Sequence, residues 1–147
     1  MAKKIVYWIV GFGCVIQLIR PDFNNPKVDT ALALHADERV EKLLKSSCYD
    51  CHSNETNYPW YHHIAPVSWV MSSNIEGGRK ALNFSTWSTT DQEIKRERLT
   101  RAKQLVNNEL MPKGEYVMMH DNAVLNQDDK KVLDAFFDEE LKKVTVN

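Results

Sequence analysis

The chain has 147 residues, a net charge of −1 and 27% charged residues. That length fits one domain plus a short extension, and a near-neutral balance offers no basic surface for nucleic acid. There is no internal repeat or low-complexity tract, and the charged fraction is ordinary for a soluble domain.

Lys3 and Lys4 precede an apolar run over residues 5–19, broken by Gln17 and two glycines, and Arg20-Pro21 ends it. A basic start before an apolar run reads as a signal or short membrane anchor over residues 1–20. No small-x-small cleavage site follows closely, so the expectation is an uncleaved anchor with its positive end in the cytoplasm. Residues 22–29 carry prolines, asparagines and acids. They read as an extended tether, the central part of a linker over residues 21–34 that leads to a domain over residues 35–147.

Residues 35–47 read as a helix. Val40, Leu43 and Leu44 fall on one face, and Cys48 continues that face one turn later. Cys48-Tyr49-Asp50-Cys51-His52 then reads C-x-x-C-H, the pattern for covalent attachment of a c-type haem. Two thiols three positions apart can reach the two vinyl groups on one porphyrin edge. The imidazole of His52 then lies under the iron as proximal ligand. A zinc site needs four ligands, and the remaining cysteine, Cys14, lies far off in the apolar run. A redox C-x-x-C wants a preceding strand, whereas this segment is helical in pattern. A Cys48–Cys51 disulfide closes too small a loop to stabilise much. One motif implies one haem. Its attachment outside the bacterial cytoplasm agrees with an exported chain.

Residues 53–61 read as a loop. A helix starts near Pro66 and runs to Gly77-Gly78, and a connector covers residues 83–87. Thr90 and Glu93 form a capping box for a charged helix that reaches about Leu110, where Pro112 stops it. Asn126 caps a last helix with Val132, Leu133, Phe136, Phe137 and Leu141 inward. No strand pattern is present, so the domain is expected to be all-α. Trp60 and Trp69 are candidates to pack on the porphyrin, and Arg79 with Lys80 to pair with its propionates. Met111 is the first choice for a distal iron ligand, because it sits on a proline-stiffened loop far along the chain from His52. His120 is the alternative. His62 and His63 read as surface or propionate-side groups, with His35 weaker still.

Several segments together resemble the small bacterial haem-binding domain family. They are residues 48–56, Tyr58-Pro59-Trp60-Tyr61, Ile64-Ala65-Pro66-Val67-Ser68-Trp69, residues 78–85 with Trp87, and Glu109-Leu110-Met111-Pro112 with the later His120. Gln17-Leu18-Ile19-Arg20-Pro21 with Asn24-Asn25-Pro26 is similar to the family's anchor exit. The resemblance implies a membrane-anchored, single-haem c-type cytochrome with a helical fold related to class I cytochromes c. Cys48 and Cys51 carry over as attachment sites and His52 as proximal ligand. Lys113 departs from the family's frequent second proline after Met111.

Two functions fit this reading. One is a periplasmic electron carrier on the inner membrane, not an enzyme, passing electrons between redox partner proteins through a six-coordinate iron. The other is a five-coordinate haem protein for peroxide chemistry or gas sensing, in which a histidine and Arg79 flank an open position.

Overall fold

The structure, a computed structural model, describes residues 1–144; the last three residues of the expected domain lie outside it. Among the described residues every regular element is helical, as expected. The α-helices are α1 (Ala2–Ile16), α2 (Glu38–Ser47), α3 (Tyr49–His52), α4 (Val67–Ala81), α5 (Gln92–Asn107), α6 (Gly114–Val117) and α7 (Gln127–Lys143). Short 3-10 segments lie between them at Thr30–Leu32, Trp60–His63, Phe84–Thr89 and Asp121–Ala123.

Local chemistry sets the helix starts. Asp37 caps α2, its Oδ1 accepting from Arg39 N and Val40 N at 3.0 Å each, so the helix begins three residues later than periodicity suggested. Asp91, not Thr90, caps α5 and accepts from Glu93 N at 2.9 Å. A carboxylate beside the first turn displaces a hydroxyl one residue earlier. Asn126 and Asp129 form the reciprocal capping box of α7.

One core organises the domain. Leu99 and Val106 of α5, Leu133, Phe136 and Phe137 of α7, and Val40 and Leu44 of α2 share a buried cluster with Phe84 and Trp87. Tyr49, the first residue of α3, stacks on Phe84 at 5.3 Å between centroids. The haem-type motif is thereby fixed to the core through the residue after its first cysteine.

The expected membrane anchor over residues 1–20 is corrected. The helix ends at Ile16, and at 1.5 Å per residue it reaches about 22 Å against a hydrocarbon core of about 30 Å. No helix among the described residues is long and apolar enough to cross a membrane. The rest of the apolar run docks on the domain instead. Gln17 Nε2 donates to Ala65 O at 3.1 Å and its Oε1 accepts from Ala65 N at 3.0 Å. Trp69 Nε1 donates to Ile19 O at 2.8 Å.

Residues 22–29 are not a free tether either. Asn24 O accepts from Tyr58 OH and from Arg79 Nη1, each at 3.0 Å. Asn25 Nδ2 donates to Thr56 O at 2.9 Å, and Asn25 Oδ1 accepts from Arg79 Nη2 at 2.8 Å. Phe23 meets the rings of Tyr58, His62 and His63 edge-on. The segment is a strap bound across the loop that follows the motif.

Candidate cofactor site

Cys48, Cys51 and His52 line one cavity of about 840 Å³, walled by α3, α4 and the loop after α5. That volume lies within the range of cofactor pockets. Its surface is mostly apolar, with Ile64, Val67, Val70, Met71 and Ile75 among the wall residues. Cys48 is the C-cap of α2 and its N–H donates to Leu44 O at 2.8 Å. His52 N in turn donates to Cys48 O at 2.9 Å. A single helical turn therefore carries both thiols and the imidazole to the same cavity.

Both thiols are free. Burial pushes the Cys48 thiol up to about 12 and the Cys51 thiol up to about 11. A redox C-x-x-C needs the opposite, a thiol whose pKa is depressed. Among the described residues no group of three or more His, Cys, Asp or Glu side chains gathers to hold a bare metal ion. The raised thiol pKa values count against the thioredoxin-like reading.

His52 Nδ1 lies 3.1 Å from Leu82 O. A carbonyl oxygen only accepts, so Nδ1 carries the proton and Nε2 keeps its lone pair. Burial lowers the pKa of this imidazole, opposed by backbone bonds to Leu82 and Gly78. A neutral ring with Nδ1 tied to a carbonyl is the arrangement of a metal-ligating histidine.

α4 passes directly over the motif, and it can do so only because of Gly78. A Cβ there would lie 2.3 Å from Cys51 O and 2.9 Å from Cys51 C. The sequence suggested that Gly77-Gly78 ends the helix, yet α4 continues to Ala81. Gly78 is a close-approach residue, not a stop.

The opposite wall comes from the chain after α5. Glu109 has φ 59°, in the left-handed region, and Leu110 N and Met111 N both return to Leu105 O. This turn ends the helix at Asn107, several residues before Pro112, and delivers Met111 to the cavity wall. Glu109 pairs with Lys130 Nζ at 2.5 Å.

His120 lines the same cavity. Its Nδ1 donates to Tyr116 O at 2.9 Å and its ring stacks on Tyr116 at 4.1 Å. Tyr116 OH donates to Asp50 Oδ2 at 2.7 Å, and Asp50 Oδ1 accepts from Asn57 N at 2.8 Å. Burial and the Asp50 carboxylate both raise the Tyr116 pKa, so the phenol stays protonated. This latch joins the Met111–His120 loop to the residue between the two cysteines. Neither Tyr116 nor Asp50 stands out in the sequence, because a hydrogen bond across 66 positions leaves no local pattern.

The other expected contacts divide. Trp60 reaches the cavity mouth but is 83% exposed. Trp69 is absent from the lining; its indole serves the Ile19 carbonyl. Arg79 is also absent from the lining. It donates to Ser53 O at 2.8 Å and Thr56 Oγ1 at 2.9 Å besides its two strap bonds. Its guanidinium organises the loop and strap and is not turned to a propionate. His62 and His63 pack with Phe23 on the strap side, and His35 is exposed away from the site.

A second cavity, of about 630 Å³, opens between α4 and α5. Cys48, His52, Met111 and Pro112 border both cavities. The two spaces therefore meet at the candidate attachment and ligand residues.

Two half-buried thiols, an oriented imidazole and a large apolar cavity in a helical domain are what a haem site needs. The chain belongs to the haem-binding domain family, whose sequence profile matches residues 11–139. No curated protein and no solved structure matches it, so kinship with class I cytochromes c rests on the family resemblance alone.

Proposed function

We propose that the protein is a single-haem c-type cytochrome that carries electrons in the periplasm. In this reading Cys48 and Cys51 hold the cofactor through thioethers, His52 is the proximal ligand and Met111 the distal one. The observation that carries it is the convergence of both thiols and the His52 imidazole on one apolar cavity. A bound haem supplies a one-electron couple at its iron. The chain's own residues do the rest. Leu82 O fixes the His52 tautomer, the apolar wall excludes water, and the Glu109 turn presents the Met111 thioether.

Met111 is favoured over His120 because it borders both cavities, as Cys48 and His52 do, whereas His120 borders one. His120 keeps a claim of its own, since its Nδ1 is tied to a carbonyl just as that of His52 is. A peroxidase or gas-sensing role draws less support, because the arginine offered for it, Arg79, is fully engaged elsewhere. Redox proteins, not substrates, are the expected partners. Absorption spectra of the haem-loaded chain test the assignment. Met111→Ala should convert a low-spin spectrum to one that binds carbon monoxide readily, while His120→Ala should leave it low-spin. The reverse outcome assigns the distal position to His120. A wild-type spectrum that is already high-spin refutes the six-coordinate carrier.

A further inference from the structure

The second cavity differs from the first in charge. In the first, Asp50 and Glu115 face a single cation, Lys113, which is engaged by Asn74 at 2.7 Å and lies 3.9 Å from Glu115. In the second, Lys80, Arg98 and Arg101 face a single carboxylate, Glu97. Lys80 comes from the end of α4, and the two arginines come from one stripe of α5, where Ile94, Arg98, Arg101, Ala102 and Leu105 recur at helical spacing along the cavity wall.

The other face of α5 shows how this helix treats its cations. Lys103 pairs with Asp138 at 2.6 Å and with Asp134 at 3.3 Å, and Arg96 donates to Val144 O at 2.9 Å. Both of these cations bond to α7 or to the residue just after it. Arg98 is only half exposed, yet neither it nor Arg101 has a hydrogen-bond or ion-pair partner among the described residues. A half-buried guanidinium beside an apolar cavity is a fork of donors suited to a planar carboxylate.

We propose that the carboxylate edge of the bound haem projects into this second cavity and is held by Arg98 and Arg101. The inference rests on the haem reading above and adds the cofactor's orientation. It replaces Arg79, whose four bonds go to the strap and to the loop after the motif. A haem ends in two propionates, a dianion that needs cations when it leaves water. The first cavity brings a surplus of carboxylates to its wall and the second a surplus of cations. The vinyl edge is pinned where the cavities meet, at Cys48, leaving the charged edge free to choose the basic side.

The test uses the haem-loaded full chain. The midpoint potential is measured by spectroelectrochemistry, and the propionate bending band by resonance Raman. Arg98→Gln with Arg101→Gln should lower the midpoint potential, since removing positive charge near the iron favours its ferric form, and should shift the propionate band. Arg98→Lys with Arg101→Lys should restore most of the potential but not the band, because an ammonium keeps the charge and loses the fork. Lys95→Gln, which removes one positive charge from the same helix outside the cavity and so matches the single Arg101→Gln, should move neither. The single Arg101→Gln, at an exposed position, gives the same reading in smaller measure if the double variant folds poorly. A pigmented wild type whose potential and band are unmoved by the glutamine variants overturns this inference alone. A wild type that takes up no haem overturns the cofactor reading and this inference with it.

Discussion

Gly78→Ala is the sharpest perturbation of the architecture around the motif. The added Cβ would stand 2.3 Å from Cys51 O and 3.0 Å from Cys51 Cβ. Reaching an ordinary contact of about 3.4 Å requires α4 or the motif to retreat by about 1 Å, and the obstacle is backbone, which cannot rotate away. Overpacking of this kind costs about 1–3 kcal/mol, with a backbone obstacle at the upper end. The helix itself gains about 0.5–1 kcal/mol from exchanging glycine for alanine. The net loss is then about 2 kcal/mol, or roughly a 5–12 °C fall in Tm for a domain of this size. Gly77→Ala is the built-in control. It lies one residue away in the same helix with nothing within 4 Å, so it should stabilise by about 0.5–1 kcal/mol. Thermal unfolding followed by far-ultraviolet circular dichroism reads both. Equal responses at the two glycines would show that α4 does not press on Cys51.

Other perturbations test the latch, the strap and the docked N-terminal segment. Tyr116→Phe removes the bond to Asp50 and should cost about 1–2 kcal/mol, and in the haem-loaded chain it should weaken the proposed Met111 ligation, seen as a raised carbon monoxide on-rate; unchanged ligand kinetics would make the latch purely structural. Arg79→Gln strips a four-bond hub and should expose residues 21–34 to limited proteolysis at least tenfold faster, matching a loss of about 1.5–3 kcal/mol; a strap cut at the wild-type rate would contradict the hub. Gln17→Ala should free the end of α1 at a cost of about 1–2 kcal/mol, because both bonds to Ala65 are half-buried; a much larger fall in stability would mean that α1 is integral to the core.

The haem motif was legible because its chemistry is local: five consecutive residues and one helical turn. The helical class was legible for a similar reason, since stripes such as Leu133, Phe136 and Phe137 repeat at the helix period. What escaped was set by contacts across the chain. Residues 22–29 carry the composition of a free linker, and nothing local reveals that Arg79 binds them. Gly78 looks like a helix stop until α4 is seen against Cys51. The apolar run of residues 5–19 has the composition of an anchor but not the helical length: its helix ends at Ile16, and Gln17 and Ile19 bond to the domain. Arg79 and Arg98 are indistinguishable as letters. Only the cavities separate a structural hub from a residue facing open space.

The central claim is covalent attachment through Cys48 and Cys51, and intact-mass spectrometry of the chain tests it most directly. Produced in cells that mature c-type cytochromes, the purified chain should carry the added mass of one haem that survives denaturation and acid–organic extraction, and Cys48→Ala with Cys51→Ala should lose it. A wild-type chain of unmodified mass, or a haem that extracts freely, would contradict the account.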